Sequence, residues 1–225
     1  MRALSRHLFS APSPCQDSLP VFQESRVTGR VGFRNFLSPS RRALLYLCLL
    51  CPLSAWCQLK DENLIQNLPA GYKVGFQTKK GNMEITEMIP DPESLQQWTE
   101  MLTTQVFHGL RNATPESFQI SMQQGIQVSC PGGMSAPVAK GEENGYPFAV
   151  GMIACPMNRS TGKPEFVWFK AIKGNDSFYV VQKAFRFEPS SEEVTRWTRY
   201  LGSVTVCDTR LVNQKCPTLR PIGVK

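Results

Sequence analysis

The chain has 225 residues and a formal net charge of +7, with 25 lysines and arginines against 18 acidic residues. Most of this excess lies near the start, because residues 1–55 hold seven arginines and two acids and residues 56–225 hold 18 basic and 16 acidic residues. The nearly balanced charge of the second part excludes the electrostatic argument for nucleic-acid binding. We expect no nucleic-acid partner, and one domain with its own core.

An apolar run behind two arginines predicts an export signal. Ala43–Ala55 is a run of 13 residues that begins directly after Arg41 and Arg42. This layout is typical of a secretory signal peptide, whereas a membrane-spanning helix needs about 20 apolar residues. We expect residues 41–57 to be a signal peptide and the protein to be periplasmic or secreted. The alternative is an uncleaved anchor that attaches the protein to the inner membrane through residues 43–59.

The flanks of the signal define the remaining regions. Residues 1–40 show the periodicity of neither a helix nor a strand. We expect a disordered extension or sequence upstream of the true start of translation, with an organelle transit peptide as a third reading. Residues 58–210 are predicted to form a single domain, and residues 211–225 a tail.

Four cysteines lie beyond the signal: Cys130, Cys155, Cys207 and Cys216. An even set in an exported chain predicts two disulfide bonds, and four cysteines allow three pairings. We expect Cys207 to pair with Cys216 across a short loop, and Cys130 with Cys155. A structural metal site is the alternative, but this part of the chain has one histidine, His108, and no paired CxxC motif. We therefore expect neither a metal nor a cofactor.

The domain opens with a predicted hairpin and a predicted helix. After a polar lead-in over Leu59–Ala70, Tyr72–Thr78 and Met83–Ile89 alternate on either side of a turn, which is typical of a β-hairpin. Asp91–Glu93 then has the N-cap, first-turn proline and early acid of a helix that would end at Gly109. Apolar residues follow at helical spacings of three and four: Leu95, Trp98, Leu102 and Val106.

A second helix and a loop are predicted next. Thr114–Glu116 repeats the helix start signal, and Phe118 and Met122 share one face of a helix that would end near Cys130. Pro131–Gly145 contains four glycines, so we expect a loop.

Three strands and a final helix complete the predicted domain. The strands are Tyr146–Ala154, Phe166–Lys173 and Ser177–Phe187, and the middle one is apolar on both faces, which predicts a central, covered strand. Ser190 and Glu193 form a capping box that begins an amphipathic helix. The resulting order, β-β-α-α-β-β-β-α, predicts an α+β fold in which amphipathic helices pack on an antiparallel sheet.

Catalytic motifs give little support for an enzyme. No G-x-S-x-G, P-loop or H-E-x-x-H motif is present, and His108 is predicted to be a surface residue at a helix C-terminus. Glu84 and Glu87 fall on opposite faces of a strand, so they do not form a glycosidase-like pair. The sequence leaves enzymatic activity uncertain and favours a protein that is not an enzyme.

One group of basic and aromatic residues predicts a ligand site. Two strands that pair in an antiparallel hairpin carry it: Lys170, Lys173, Tyr179, Lys183 and Arg186. Alternation places Lys183 on an otherwise apolar face with Tyr179, where a lysine must reach solvent or find a partner. These five residues are our candidate site for an anionic or aromatic ligand. The alternative is that the lysines only reach the sheet edge.

Several strings of this chain resemble a group of uncharacterised exported proteins of proteobacteria. The strings are YKVGFQTKKGNMEITEMIP, WTEMLTTQVF, NGYPFAVGMIACP and GNDSFYVVQKAFRF, and the resemblance spans Leu68–Arg210. It implies no activity and no catalytic residues. The element order is also similar to PsbP/DcrB-like domains, which implies helices on both faces of the sheet and an accessory or binding role.

The residues and the resemblance together predict an exported, non-enzymatic binding or accessory domain for an envelope partner or a small ligand. One alternative is a hydrolase or transferase with an unrecognised acidic site. The other is a membrane-anchored assembly factor, which depends on whether the signal is cleaved.

Overall fold

The structure, a computed structural model, describes residues 59–217. Within this range nine strands and two helices follow one another, and a single 3₁₀ turn at Val212–Gln214 comes last. Their bounds are β1 (Glu62–Ile65), β2 (Tyr72–Lys80), β3 (Met83–Pro90), β4 (Glu100–His108), α1 (Pro115–Ser129), β5 (Met134–Glu143), β6 (Tyr146–Asn158), β7 (Lys163–Lys173), β8 (Ser177–Phe185), α2 (Ser191–Ser203) and β9 (Thr205–Asp208).

Seven of these strands form one antiparallel sheet in the order β2-β3-β4-β8-β7-β6-β5. The meander β5-β6-β7-β8 returns to β4, so β8 is the central strand, and α1 carries the chain from β4 to the far edge at β5. The remaining two strands, β1 and β9, pair with each other as a separate antiparallel ribbon. The fold is therefore α+β, with a helix on each face of the sheet.

The first face of the sheet is covered by α2 and the ribbon. Trp197 and Leu201 of α2 pack against a cluster that includes Phe185 and Val181 of β8, and Val206 of the ribbon joins it. The side chain of Ser190 accepts a hydrogen bond from the Glu193 amide, and the Glu193 carboxylate accepts one from the Ser190 amide. The predicted capping box is confirmed, and it fixes where α2 begins.

The second face is covered by α1. Met122 and Ile126 pack on Val167 and Phe169 of β7, and the Cys130–Cys155 disulfide joins the end of this helix to β6. Thr114 caps α1 and Pro115 is its first residue, as the sequence predicts. Because both faces of β7 are buried, its prediction as a central, covered strand is also confirmed.

Residues 91–109 do not form the predicted helix. They form a loop and then β4, which contains the β-branched residues Thr103, Thr104 and Val106 and pairs with β3 and β8. The Glu93 carboxylate, expected in a helical first turn, instead accepts hydrogen bonds from the backbone and hydroxyl of Thr99 and closes the loop. The spacing of Leu95, Trp98 and Leu102 was compatible with a helix, but cross-strand pairing outweighed it.

Two other predicted irregular segments contain strands. The predicted loop Pro131–Gly145 holds β5, an edge strand that is exposed along most of its length and therefore lacks an apolar alternation. The polar lead-in contains β1, which is too short and polar to be recognised without its partner β9. The observed order, β-β-β-β-α-β-β-β-β-α-β, corrects the predicted one.

Both expected disulfide pairings are present, Cys130 with Cys155 and Cys207 with Cys216. The predicted extension over residues 1–40, the signal at 41–57 and most of the anchor at 43–59 lie outside the described residues. Within residues 59–217, neither helix has the length and hydropathy needed to cross a membrane.

Candidate functional site

The five predicted ligand residues do not converge on one site. Cross-strand register places Lys170, Tyr179 and Lys183 on the first face of the sheet, and Lys173 and Arg186 on the second face. Two strands carry all five, but the alternation of side chains separates them. Ligand binding by these residues stays a prediction, and each one has a distinct environment.

Lys183 lies fully buried under α2 and has three kinds of partner. Its Nζ donates to the Glu100 carboxylate at 2.6 Å and to the Tyr72 hydroxyl oxygen at 2.7 Å, and the Tyr72 hydroxyl donates to the same carboxylate at 2.6 Å. The Trp197 ring centre lies 4.0 Å from Nζ. The sequence required a partner for this lysine, and the fold supplies one from β4 and one from β2.

The electrostatics of this group follow from burial. Loss of hydration lowers the pKa of Lys183 to about 8, although Glu100 opposes the shift. Burial raises the pKa of the Glu100 carboxyl, but hydrogen bonds from Lys183 and Tyr72 outweigh it and leave the pKa below its ordinary value. Burial, reinforced by Glu100, raises the pKa of the Tyr72 hydroxyl. At neutral pH the charged form of Lys183 is therefore favoured less strongly than the charged form of an ordinary lysine.

Lys170 is the second fully buried lysine of this face. Its Nζ donates to the Glu143 carboxylate at 2.6 Å and to the Val204 carbonyl at 2.8 Å, and it lies 4.7 Å from the centre of the Phe148 ring. Glu143 ends β5 and Val204 is the C-cap of α2. The contacts of Lys170 therefore join the sheet edge to the helix that covers it.

The hydroxyl of Tyr179 binds Glu62 and so helps to hold β1 in place. Its hydroxyl donates to the Glu62 carboxylate at 3.0 Å, and that carboxylate also accepts from three consecutive amides at the turn between β7 and β8. Burial, reinforced by Glu62, raises the pKa of the Tyr179 hydroxyl. Glu62 thus anchors the ribbon over the first face of the sheet and forms one wall of a groove.

This groove, which we call the β1 groove, lies between β1 with the residues after it and the strands β2 to β4. It has a volume of about 470 Å³. Its floor and rim are mainly apolar and include Leu64, Leu68, Val74, Met88 and Val106. Leu68 and Val74 are 55% and 53% exposed, so the rim presents apolar side chains to solvent.

One end of the β1 groove is polar. His108 Nε2 lies 3.1 Å from the Glu84 carboxylate, and the same oxygen contacts the Lys79 ammonium. Burial raises the pKa of the Glu84 carboxyl, but the hydrogen bonds from Lys79 and His108 outweigh it and lower the pKa. His108 is the last residue of β4 and not of a helix, so its predicted place at a helix C-terminus is wrong, but its side chain is 41% exposed and lies at the surface as predicted.

A second cavity, which we call the Trp98 cleft, lies on the second face beside α1. It has a volume of about 310 Å³. Arg186 stacks on the Trp98 ring at 3.7 Å and donates to the Trp98 carbonyl at 3.3 Å, so these two residues form one wall. Residues 158–161, in the turn between β6 and β7, contribute to the lining together with side chains of β3, β4, β7 and β8.

Sequence reasoning missed most of the residues around these cavities. Glu84 was considered only as half of a carboxylate pair, and Glu100 was assigned to a helix that does not exist. The β-branched residues Thr103, Thr104 and Val106 were the signal that could have indicated β4. Within residues 59–217, no group of three or more His, Cys, Asp or Glu side chains is placed to hold a metal ion.

Comparison with known proteins gives only a distant structural similarity. No protein-family model matches the chain, and no curated protein matches it in sequence. Solved structures with a similar arrangement include the Ran-binding protein Mog1p of Saccharomyces cerevisiae, with a TM-score of 0.37 and 8% identity over 63% of this chain and 85% of that chain.

Two further solved structures are similar to the same degree. Cyanobacterial PsbP (CyanoP) of Synechocystis sp. PCC 6803 has a TM-score of 0.37 and 7% identity over 67% of this chain and 95% of that chain. LpqN of Mycobacterium tuberculosis, involved in cell envelope biogenesis, has a TM-score of 0.36 and 9% identity over 67% and 87%. Similarities of this size carry no argument about function, and the exported proteobacterial group stays an expectation.

Proposed function

We propose that this chain is an exported, non-enzymatic binding domain that holds a small amphipathic molecule in the β1 groove. The groove itself is the observation that carries the proposal. Its volume of about 470 Å³ lies in the range of small-molecule sites, and most of its surface is apolar with polar side chains along it, which is the usual composition of such sites. The two disulfides support an oxidising compartment, in agreement with the predicted export signal.

The rim of the groove supports an apolar ligand tail. Leu68 and Val74 expose more than half of their side-chain surface, although Met88 on the floor between them is buried. A tail laid over Met88 and Val106 would cover both rim residues and remove apolar surface from water. The groove is open along one side, which suits an elongated molecule.

The polar end supports an anionic head group. Lys79, which lies beside the lining, and His108 both contact Glu84, so this carboxylate is matched by two basic groups. Glu62, the second carboxylate of the lining, is matched by the Tyr179 hydroxyl and three backbone amides. A lysine ammonium has three N–H donors and this one uses a single donor on Glu84, which leaves donors for a carboxylate or phosphate oxygen. The ligand class is therefore a single-chain amphiphile with an anionic head.

Partner binding by strand addition is less well supported than a small ligand. The two free edges of the sheet are β2 and β5, and both contain an irregularity in their register, at Val74/Phe76 and at Pro137/Ala139. Bulges, prolines and lysines are the devices by which proteins prevent another strand from pairing with an edge. Edge pairing is therefore not the binding mode that we propose.

The proposal is tested by fluorescence titration with dansyl-labelled undecanoic acid. We expect saturable binding, and a loss of affinity of about tenfold or more in Leu68→Lys and Val74→Lys, because each replaces a contact with the tail by a charge. The control is Val128→Lys, since Val128 is 77% exposed on α1 and lies outside the groove. Equal loss in all three variants, or no saturable binding by the unmodified protein, would contradict the proposal.

The head-group assignment has its own test. Lys79→Ala should weaken binding of the labelled acid and leave binding of the corresponding labelled alcohol unchanged, since only the acid carries a charge at neutral pH. If the variant weakens the binding of both probes equally, Lys79 affects the shape of the groove and does not contact the head group.

A hydrolase is the second candidate, because His108 lies directly opposite Ser177 in the register of β4 and β8 and contacts Glu84. Against it, Ser177 is 5% exposed, and its hydroxyl shares no hydrogen bond with His108. Hydrolysis of p-nitrophenyl butyrate that is abolished in Ser177→Ala would establish the hydrolase. The binding proposal expects no turnover.

A further inference from the structure

The centre of the second face carries polar side chains where a covered sheet normally carries apolar ones. Cross-strand register aligns Glu87 of β3, Thr103 of β4 and Gln182 of β8 in one row, and Gln105 lies in the neighbouring row. β8 is the central strand, and α1 packs over β5, β6 and β7 beside this area. The Trp98 cleft has this polar area as its floor.

The floor retains hydrogen-bonding groups that the described structure does not use. The Gln182 amide nitrogen donates to the Gln105 amide oxygen at 3.2 Å, which leaves the Gln105 nitrogen and the Gln182 oxygen without a partner among residues 59–217. The Thr103 hydroxyl has no partner in that range either. Together these side chains offer unused donors on the Gln105 amide and the Thr103 hydroxyl, and unused acceptors on the Gln182 amide and the same hydroxyl.

The walls add further polar groups. Asn158 is buried and donates to one oxygen of the Glu165 carboxylate at 2.8 Å, so the amide holds that side chain at the cleft. The indole nitrogen of Trp98 is buried and has no partner among the described residues.

We propose that the Trp98 cleft is a second binding site, separate from the β1 groove, for a small uncharged ligand rich in hydroxyl groups, such as a single sugar ring. Amide and hydroxyl side chains that both donate and accept match hydroxyl groups, which do the same. The volume of about 310 Å³ is at the lower end of small-molecule sites.

Charge distinguishes this ligand class from the alternatives. Arg186 is engaged by the ring and the carbonyl of Trp98, and the Glu165 carboxylate lines the same cleft, so an anion would meet a like charge there. An apolar ligand would displace water from the amide groups of Gln105 and Gln182 without offering hydrogen bonds in its place. A neutral polyol satisfies the floor and places a hydroxyl donor against the second oxygen of the Glu165 carboxylate.

The experiment is saturation-transfer NMR with glucose, N-acetylglucosamine and myo-inositol as separate probes, on the full chain with both disulfides intact. We expect transfer to at least one of them. Gln182→Leu and the nearly isosteric Thr103→Val should each weaken its binding about tenfold, because each removes a hydrogen-bonding group from the floor. Leu68→Lys in the β1 groove should leave this binding unchanged.

The matched control is Gln124→Leu, which makes the same change at an exposed position of α1. Thermal unfolding of each variant identifies a loss that comes from misfolding, and Thr103→Val keeps the test open if Gln182→Leu does not fold. Absence of transfer to all three probes, or an equal loss in Gln124→Leu, would each overturn the proposal.

Discussion

The face of the sheet under α2 and the face under α1 differ in what they bury. Under α2, two lysines are sealed in an aromatic and aliphatic cluster, each with a carboxylate partner. Under α1, the packed surface is apolar and is reinforced by a disulfide, and the polar side chains lie beside the helix in an open cleft.

The difference shows that polarity in a strand does not by itself indicate a binding site. Lys170 and Lys183 lie on the same side of their strands as core residues, and carboxylates from other strands accept hydrogen bonds from their ammonium groups. Thr103, Gln105 and Gln182 lie on the opposite face of the sheet and retain hydrogen-bonding groups that no described residue uses. The partners, and not the residue types, separate a structural ion pair from a surface that can receive a ligand.

The largest expected effect comes from breaking the ion pair of the first face. Glu100→Gln removes the negative charge that matches the buried Lys183 ammonium and leaves it only neutral acceptors, so it should cost about 3–5 kcal/mol of the free energy of unfolding. The double variant Lys183→Met with Glu100→Leu should recover most of that loss, because no charge then remains buried. Urea denaturation measures both, and a Glu100→Gln loss below about 1 kcal/mol would mean that the pair is only a surface contact.

Removing each disulfide in turn compares the second face of the sheet with the ribbon of β1 and β9 that covers the first face. Replacing Cys130 and Cys155 by alanine removes a link across 25 residues and should cost about 3.5 kcal/mol by loop entropy. Replacing Cys207 and Cys216 removes a link across nine residues and should cost about 2.6 kcal/mol. Urea denaturation of the two double variants gives the order, and a reversed order would show that the ribbon is the more dependent region.

The pH dependence of stability should reveal the buried lysine. Lys183 has a pKa of about 8 in the folded chain against 10.5 for an ordinary lysine, so the unfolded chain binds the proton more tightly. Stability is therefore reduced below pH 8 and rises as the pH increases through the window between the two pKa values. Between about pH 8 and pH 9.5 the gain should be about 1.5 kcal/mol.

This gain should be absent in Lys183→Met, which is the control for every other titrating group. Tyr72 and Tyr179 have raised pKa values in the folded chain, so their contribution lowers stability only where unfolded tyrosines lose their protons, near pH 10 and above. Urea midpoints of the two proteins at each pH give the comparison. An equal slope in both proteins would assign the dependence to another group.

The smallest expected effect concerns the start of α2. Ser190→Ala removes the acceptor for the Glu193 amide and should cost about 1 kcal/mol. Ser191→Ala, one residue further on, is the matched control and should change stability by less than about 0.5 kcal/mol. Thermal or urea unfolding measures both, and equal effects would show that packing of Trp197, not the cap, positions the helix.

The sequence alone determined those parts of the molecule that local chemistry specifies. The capping residues Thr114 and Ser190 mark where the two helices begin, since a cap acts within four residues. The strands at 146–158, 163–173 and 177–185 follow from their apolar alternation or continuous apolar runs. Even the cysteine pairing was favoured by spacing.

Only the tertiary structure decided the identity of β4, the partners of the lysines and both cavities. Residues 91–109 satisfy a helical spacing, and they become a loop and a strand because β3 and β8 offer backbone partners on both sides. The ribbon of β1 and β9 joins segments far apart in the chain, so no local pattern predicts the groove that it closes. Long-range pairing selects among local conformations of similar energy, and the candidate sites lie where distant segments meet.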